Sequence, residues 1–150
     1  MRVVYHDSSG PLRQPGFRGN AVAWWVRPDR DRPADERHGE LPIPECLYHA
    51  LLHLGLVDRL SALPHAGLLG PFEEGELLPA GLHAAGRLLR EAADGLPPGR
   101  LDWVCSHQLA PEPVEYRLSA DAEVVRGQLR ELAGFVETAG RRGFAVQLWL

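Results

Sequence analysis

Leu41-Pro42-Ile43-Pro44-Glu45-Cys46-Leu47-Tyr48-His49-Ala50-Leu51-Leu52-His53-Leu54-Gly55-Leu56-Val57-Asp58-Arg59-Leu60 is the stretch on which the reading of this chain turns. Its two prolines give a rigid lead-in. Pro44 suits the first helical position, where a missing N–H costs nothing, and Glu45 suits the positive end of a helix. From there the run is apolar nearly all the way round, so the helix it forms must be buried. Gly55 leaves two outcomes open. One helix runs on to Leu63 and stops at Pro64, or a first helix ends at Leu54, Gly55 adopts a left-handed cap and Val57–Leu63 form a second.

Upstream, residues 2–7 (Arg-Val-Val-Tyr-His-Asp) read as a strand rich in β-formers, closed by Ser8-Ser9-Gly10-Pro11. Glycines and prolines make residues 10–19 a broad turn. Asn20–Arg27 then reads as a second strand, with Val22, Trp24 and Val26 on one face and Ala21, Ala23 and Trp25 on the other. Antiparallel pairing with the first strand is the simplest connection. Residues 27–40 hold four arginines against five acidic residues with no apolar period, which predicts a solvated, mobile charged loop.

Downstream, residues 64–76 read as a connection and Pro79–Ala93 as a helix. Residues 100–107 read as a strand with Leu101, Trp103, Cys105 and His107 on one face. Val114, Tyr116 and Leu118 alternate briefly, as in an edge strand after Pro111 and Pro113. Ser119 reads as the N-cap of the best-defined helix. Val125, Leu129, Leu132, Val136 and Ala139 form its apolar stripe, and Gly140 ends it. The closing Phe144–Leu150 is so apolar that it predicts a strand inside a sheet.

The order is β-β-α-α-β-(β)-α-β. It predicts an α+β fold over residues 1–150: a small mixed sheet of four to five strands with three main helices packed largely on one face. The helix from Ser119 has the length of a crossover between parallel neighbours.

A chain of 150 residues, 45% of them hydrophobic, can build its own core without disulfides. Two cysteines are too few for a secreted disulfide framework. No signal-type or membrane-spanning apolar run appears, which points to a cytoplasmic protein with no membrane partner. The net charge of −4 removes the bulk attraction on which non-specific nucleic-acid binding depends, while leaving room for a basic protein partner. All sixteen basic residues are arginine. A Walker loop is excluded by the absence of lysine, and the glycines of 10–19 precede a strand rather than the helix a dinucleotide fingerprint requires.

Two groups of residues carry candidate chemistry. Glu45, Cys46, His49 and His53 fall within an arc of about 100° on one helix. With Cys105 and His107 on the third strand, Cys46, His49 and His53 compose a candidate site for a divalent metal, the alternative to a protein with no cofactor. The spacing lacks the glutamate of His-Glu-x-x-His and any Cys-x-x-Cys. The bland account makes His49 and His53 core histidines bonded to backbone or a carboxylate such as Glu45. Cys105 with His107, or Cys46 with His49, also places a thiol near an imidazole. Along a strand, however, such side chains run parallel rather than towards each other.

The second group is aromatic. Four tryptophans and abundant arginine are the residues that anchor protein interfaces. Trp25 and Trp149 lie opposite their strands' main apolar sets and are the candidates for a binding surface or a second packing layer. In size, mild acidity and element order the chain resembles small bacterial immunity or adaptor proteins, a likeness of architecture that transfers no residue. The expectation is a non-enzymatic protein-binding domain with a protein partner and with homo-oligomers permitted. A metal-dependent enzyme or metal sensor built on His49 and His53 is the alternative.

Overall fold

A computed structural model of the chain describes residues 1–7, 21–29, 31–71 and 73–150. The glycine-rich turn expected at 10–19, and Arg30, lie outside the described residues.

Over the described residues the fold is α+β, with four α-helices and strands of mixed pairing in broadly the expected order. The described strands form two sheets. In the first, β1 (Arg2–Asp7) pairs parallel with β7 (Val114–Asp121), which pairs antiparallel with β6 (Arg100–Gln108). The second has the order β3-β2-β8-β5-β4, where β2 is Ala21–Val26, β3 Gly39–Ile43, β4 His65–Ala66, β5 Glu74–Leu77 and β8 Ala145–Trp149. The expected antiparallel pairing of the first two strands therefore does not occur: β1 and β2 belong to different sheets.

Gly55 divides the central helix. Its φ of 68° is left-handed, which ends α1 (Glu45–His53) and starts α2 (Leu56–Ser61). Helix α3 (Leu82–Asp94) follows a short 3₁₀ turn at Pro79–Gly81. Helix α4 (Ala122–Arg141) is capped by Asp121, whose side chain accepts from the Glu123 N–H at 2.8 Å. Ser119, expected to cap it, lies two residues further back in β7, where its hydroxyl accepts from Arg100. The helix also runs past Gly140 to Arg141, and Gly143 takes the left-handed position after it (φ 77°). Helix α4 links β7 to β8, so it crosses from one sheet to the other instead of joining parallel neighbours.

The stripe Val125, Leu129, Leu132, Val136 and Ala139 is wholly buried, packed in one core with Leu82, Ala85, Leu89 and Ala93 of α3. Close approach there needs small residues: a Cβ on Gly140 would sit 3.2 Å from that of Leu82. The same core takes one face of each sheet, Leu101, Leu118 and Ala120 from the first and Ala23, Leu77, Val146 and Leu148 from the second. Strand β8 lies between β2 and β5, as its apolar sequence requires. Among the described residues no helix is long and apolar enough to cross a membrane.

Candidate functional site

Two regions hold the side chains singled out above. The first is the joint between α1 and the three-stranded sheet. Pairing of β1 with β7 carries His6 beside Leu118, on the core-facing side, under the start of α1. There His6 Nε2 lies 2.8 Å from Glu45 Oε2, with both side chains about nine-tenths buried. One turn along, His49 is only 4% exposed, with its ring centroid 5.9 Å from that of His53 and edge-on to Tyr48. His53 in turn stacks on Trp103 of β6 at 5.8 Å, the planes 5° apart.

Burial governs the chemistry of this joint. It pushes His49 from the ordinary histidine value of 6.5 down to about 4, assisted by the neighbouring His53 and His6. Burial also lowers His53. On β6 it raises the Cys105 thiol to about 12; a backbone hydrogen bond from Leu118 pulls the other way, and the charges of Glu45 and Asp102 add to the rise. That is the reverse of the activation a thiolate nucleophile requires.

Of the residues proposed as metal ligands, the structure brings His49 and His53 together, while Cys46 and His107 turn elsewhere. Cys46 turns towards α4, where its thiol donates to Gln128 Oε1 at 2.9 Å. His107 is exposed on the opposite face of β6 from Trp103, in register with Glu115. Among the described residues no group of three His, Cys, Asp or Glu is placed to hold a metal ion. The buried partner of Glu45, His6, escaped the sequence reading. A lone histidine in a strand signals little until the parallel β1–β7 pairing places it under α1.

The second region is the five-stranded sheet, whose faces divide the tryptophans. Register puts Ala23 opposite Leu148 and Trp25 opposite Val146, so Trp25 faces inward. Its indole N–H donates to the Phe135 carbonyl at 3.1 Å, and its ring packs 5.0 Å from Phe135 and 5.9 Å from Phe144. Trp25 is thus a second packing layer between sheet and α4. Trp149, paired with Val22 and Glu74, lies on the outer face and is 44% exposed. It stacks on Trp24, centroids 6.1 Å apart, and the Arg37 guanidinium covers Trp24 at 4.5 Å. Alternation alone separates Trp24 from Trp25 but does not say which of them is inside. The helix that covers one face decides it.

Carboxylates ring this outer pair. Glu40 is opposite Trp24 and Glu74 opposite Trp149; Gln147 lies between Trp24 and Glu76, and its amide donates to Glu74 at 2.7 Å. The charged segment after β2 lies over the same face. Arg32 makes a two-pronged pair with Glu76 at 2.9 and 2.8 Å, and Arg27 pairs with Glu36. His38 instead reaches Phe144, the inner-face neighbour of Trp25, and stacks on it at 4.8 Å. Between this segment and β5 opens a cleft of about 650 Å³ lined by Asp29, Arg32, Glu74, Glu76 and Gln147.

No protein-family model, curated protein or solved structure matches this chain. What the chain does must follow from the chemistry of these two regions. One buries His6, Glu45 and His49 while His53 stays exposed, and the other presents aromatic rings and carboxylates to water.

Proposed function

We propose that this chain is a non-enzymatic protein-binding domain that holds a partner with cationic side chains on the outer face of its five-stranded sheet. The observation that carries the reading is the exposed Trp149, stacked on Trp24 within a frame of Glu40, Glu74 and Glu76. A large aromatic surface left in water is costly unless something covers it, and truncating such an anchor in an interface removes about 2 kcal/mol or more. Indole faces attract guanidinium and ammonium groups, as Arg37 over Trp24 already illustrates. The exposed carboxylates Glu40 and Glu74 favour the same partner and the net charge of −4 agrees. Such a surface suits an immunity-like or adaptor role, in which one basic protein is held and nothing is turned over.

The test is capture from host-cell extract with tagged full-length chain, using wild type, Trp149→Ser, Glu74→Arg and, as a control on the other sheet, His107→Ala. A basic protein retained by wild type and His107→Ala, released by added salt and lost with Trp149→Ser and Glu74→Arg, is the expected result. Retention of nothing, or equal retention by wild type and Trp149→Ser, removes the proposal.

A further inference from the structure

The edges of the two sheets are not equally guarded. Edge strands in monomeric proteins are blunted by shortness, proline or bulges. Strand β4 has only two residues, β3 carries Pro42, and β6 is interrupted by a bulge between Val104 and Ser106. Strand β1 has none of these devices. Its six residues, Arg2-Val3-Val4-Tyr5-His6-Asp7, pair with β7 without a break.

The direction of its free backbone groups follows from one hydrogen bond. The Arg2 N–H donates to the Pro113 carbonyl at 3.0 Å, so Arg2 turns its backbone towards β7. Successive residues alternate, so Val4 and His6 do the same, while Val3 and Tyr5 turn their N–H and C=O groups away from the sheet. Among the described residues no strand lies on that side of β1. The side chains of these two residues are also exposed, Val3 by 40% and Tyr5 by 59%.

We infer that this edge pairs antiparallel with β1 of a second copy of the chain, joining two three-stranded sheets into one. A twofold axis through such a pairing stands perpendicular to the sheet and keeps like faces together, so opposing residues are both odd or both even. Val3 then opposes Tyr5 of the second copy, Tyr5 opposes Val3, and Val4 meets Val4. This register satisfies the outward N–H and C=O of Val3 and Tyr5 in both copies. It also sets an aromatic ring against a β-branched side chain twice on the outer face, a favourable cross-strand pair.

On the other face the same register brings Arg2 opposite His6 of the second copy, whose ring already holds Glu45. Glu45 lies 2.8 Å from that ring, so the register brings the cationic Arg2 of each copy towards an acidic residue of the other. A joint of one strand pair buries less than a permanent dimer interface does, so association is weak and depends on concentration.

Analytical ultracentrifugation of the full chain, from roughly 1 µM to roughly 1 mM, covers the range of such association. Val3→Pro removes only an outward N–H, a change that edge strands tolerate. Wild type is expected to shift from one chain to two as concentration rises, with Val3→Pro remaining a single chain and keeping its circular dichroism and melting temperature. A wild type that stays a single chain throughout, as it would if the edge receives a strand from a different protein, overturns the inference. So does a folded Val3→Pro that associates equally well. Should Val3→Pro fail to fold, Tyr5→Lys decides. It keeps the backbone and removes both cross-strand pairs, and association at least roughly tenfold weaker supports the pairing, whereas unchanged association refutes it.

Discussion

The joint beneath α1 and the outer face of the five-stranded sheet hold the two sets of side chains that looked most like function, and they treat water in opposite ways. At the joint, His6, Glu45 and His49 are about nine-tenths buried or more, the imidazole of His49 is held neutral and the thiol of Cys105 is held protonated. On the outer face, Trp149 stands in solvent among carboxylates. The joint uses such residues to fix a helix onto a sheet; under the proposed function the recognition chemistry lies on the open face instead.

Stability costs are expected to fall steeply from the first region to the second. Breaking the buried His6–Glu45 pair is expected to cost most. Glu45→Ala should lower stability by about 3 kcal/mol, because it leaves His6 buried without its carboxylate. The combination with His6→Ala should cost less than the two single changes added together. Urea unfolding of the four proteins measures both, and strict additivity would break the claim that the pair acts as a unit.

Next comes acid. An unfolded chain protonates His49 near pH 6.5, but the folded one resists until about 4. As pH falls through that window the unfolded state takes up a proton that the native state refuses, so stability declines on acidification. The ceiling on this loss is about 3 kcal/mol. His49→Gln should flatten the decline. Glu36 on the charged segment, held down to about 2 chiefly by its hydrogen bond to Arg27, contributes stability of the other kind, lost only as pH falls below 4.5 towards 2. The two windows hardly overlap and can be read from one series of unfolding curves.

A smaller effect sharpens the contrast within one sheet. A Cβ on Gly39 would lie 2.7 Å from the Trp25 ring on the inner face. Gly39→Ala should therefore overpack that face and cost about 1–2 kcal/mol in thermal or urea unfolding. On the outer face, Trp149→Ser should change stability by no more than about 0.5 kcal/mol while abolishing capture of the partner. A large loss of stability there would mean that the outer tryptophans belong to the core.

Much of this was legible in the chain. The stripe on α4, the buried α1 and the interior position of β8 follow from apolar periodicity, and they give the α+β class. Three strands escaped notice for local reasons. In β3, Glu40 and Pro42 disguise the pattern. Strand β4 has two residues, and β5, Glu-Gly-Glu-Leu, reads like a turn. The partition into two sheets escaped for a different reason. Strand β1 finds its partner more than a hundred residues away in β7, and no local pattern encodes that pairing. The same non-local step hides His6. For the candidate sites, alternation placed Trp24 and Trp25 on opposite faces and named Trp25 with Trp149 as binding-surface or second-layer candidates. Helix α4 covers the face of Trp25, so Trp25 packs inward and Trp24 joins Trp149 on the outside. The spacing of His49 and His53 correctly put them side by side, but it could not show that Cys46 turns to Gln128 and His107 to the opposite face of β6.

Oxidative footprinting of the four tryptophans, with and without the captured partner, tests the central claim most directly. The outer face predicts that Trp149 and Trp24 lose reactivity in the complex, while Trp25 and Trp103, on the inner faces of their sheets, keep the reactivity they have in the free chain. Unchanged reactivity at Trp149 in a complex that has demonstrably formed would contradict it.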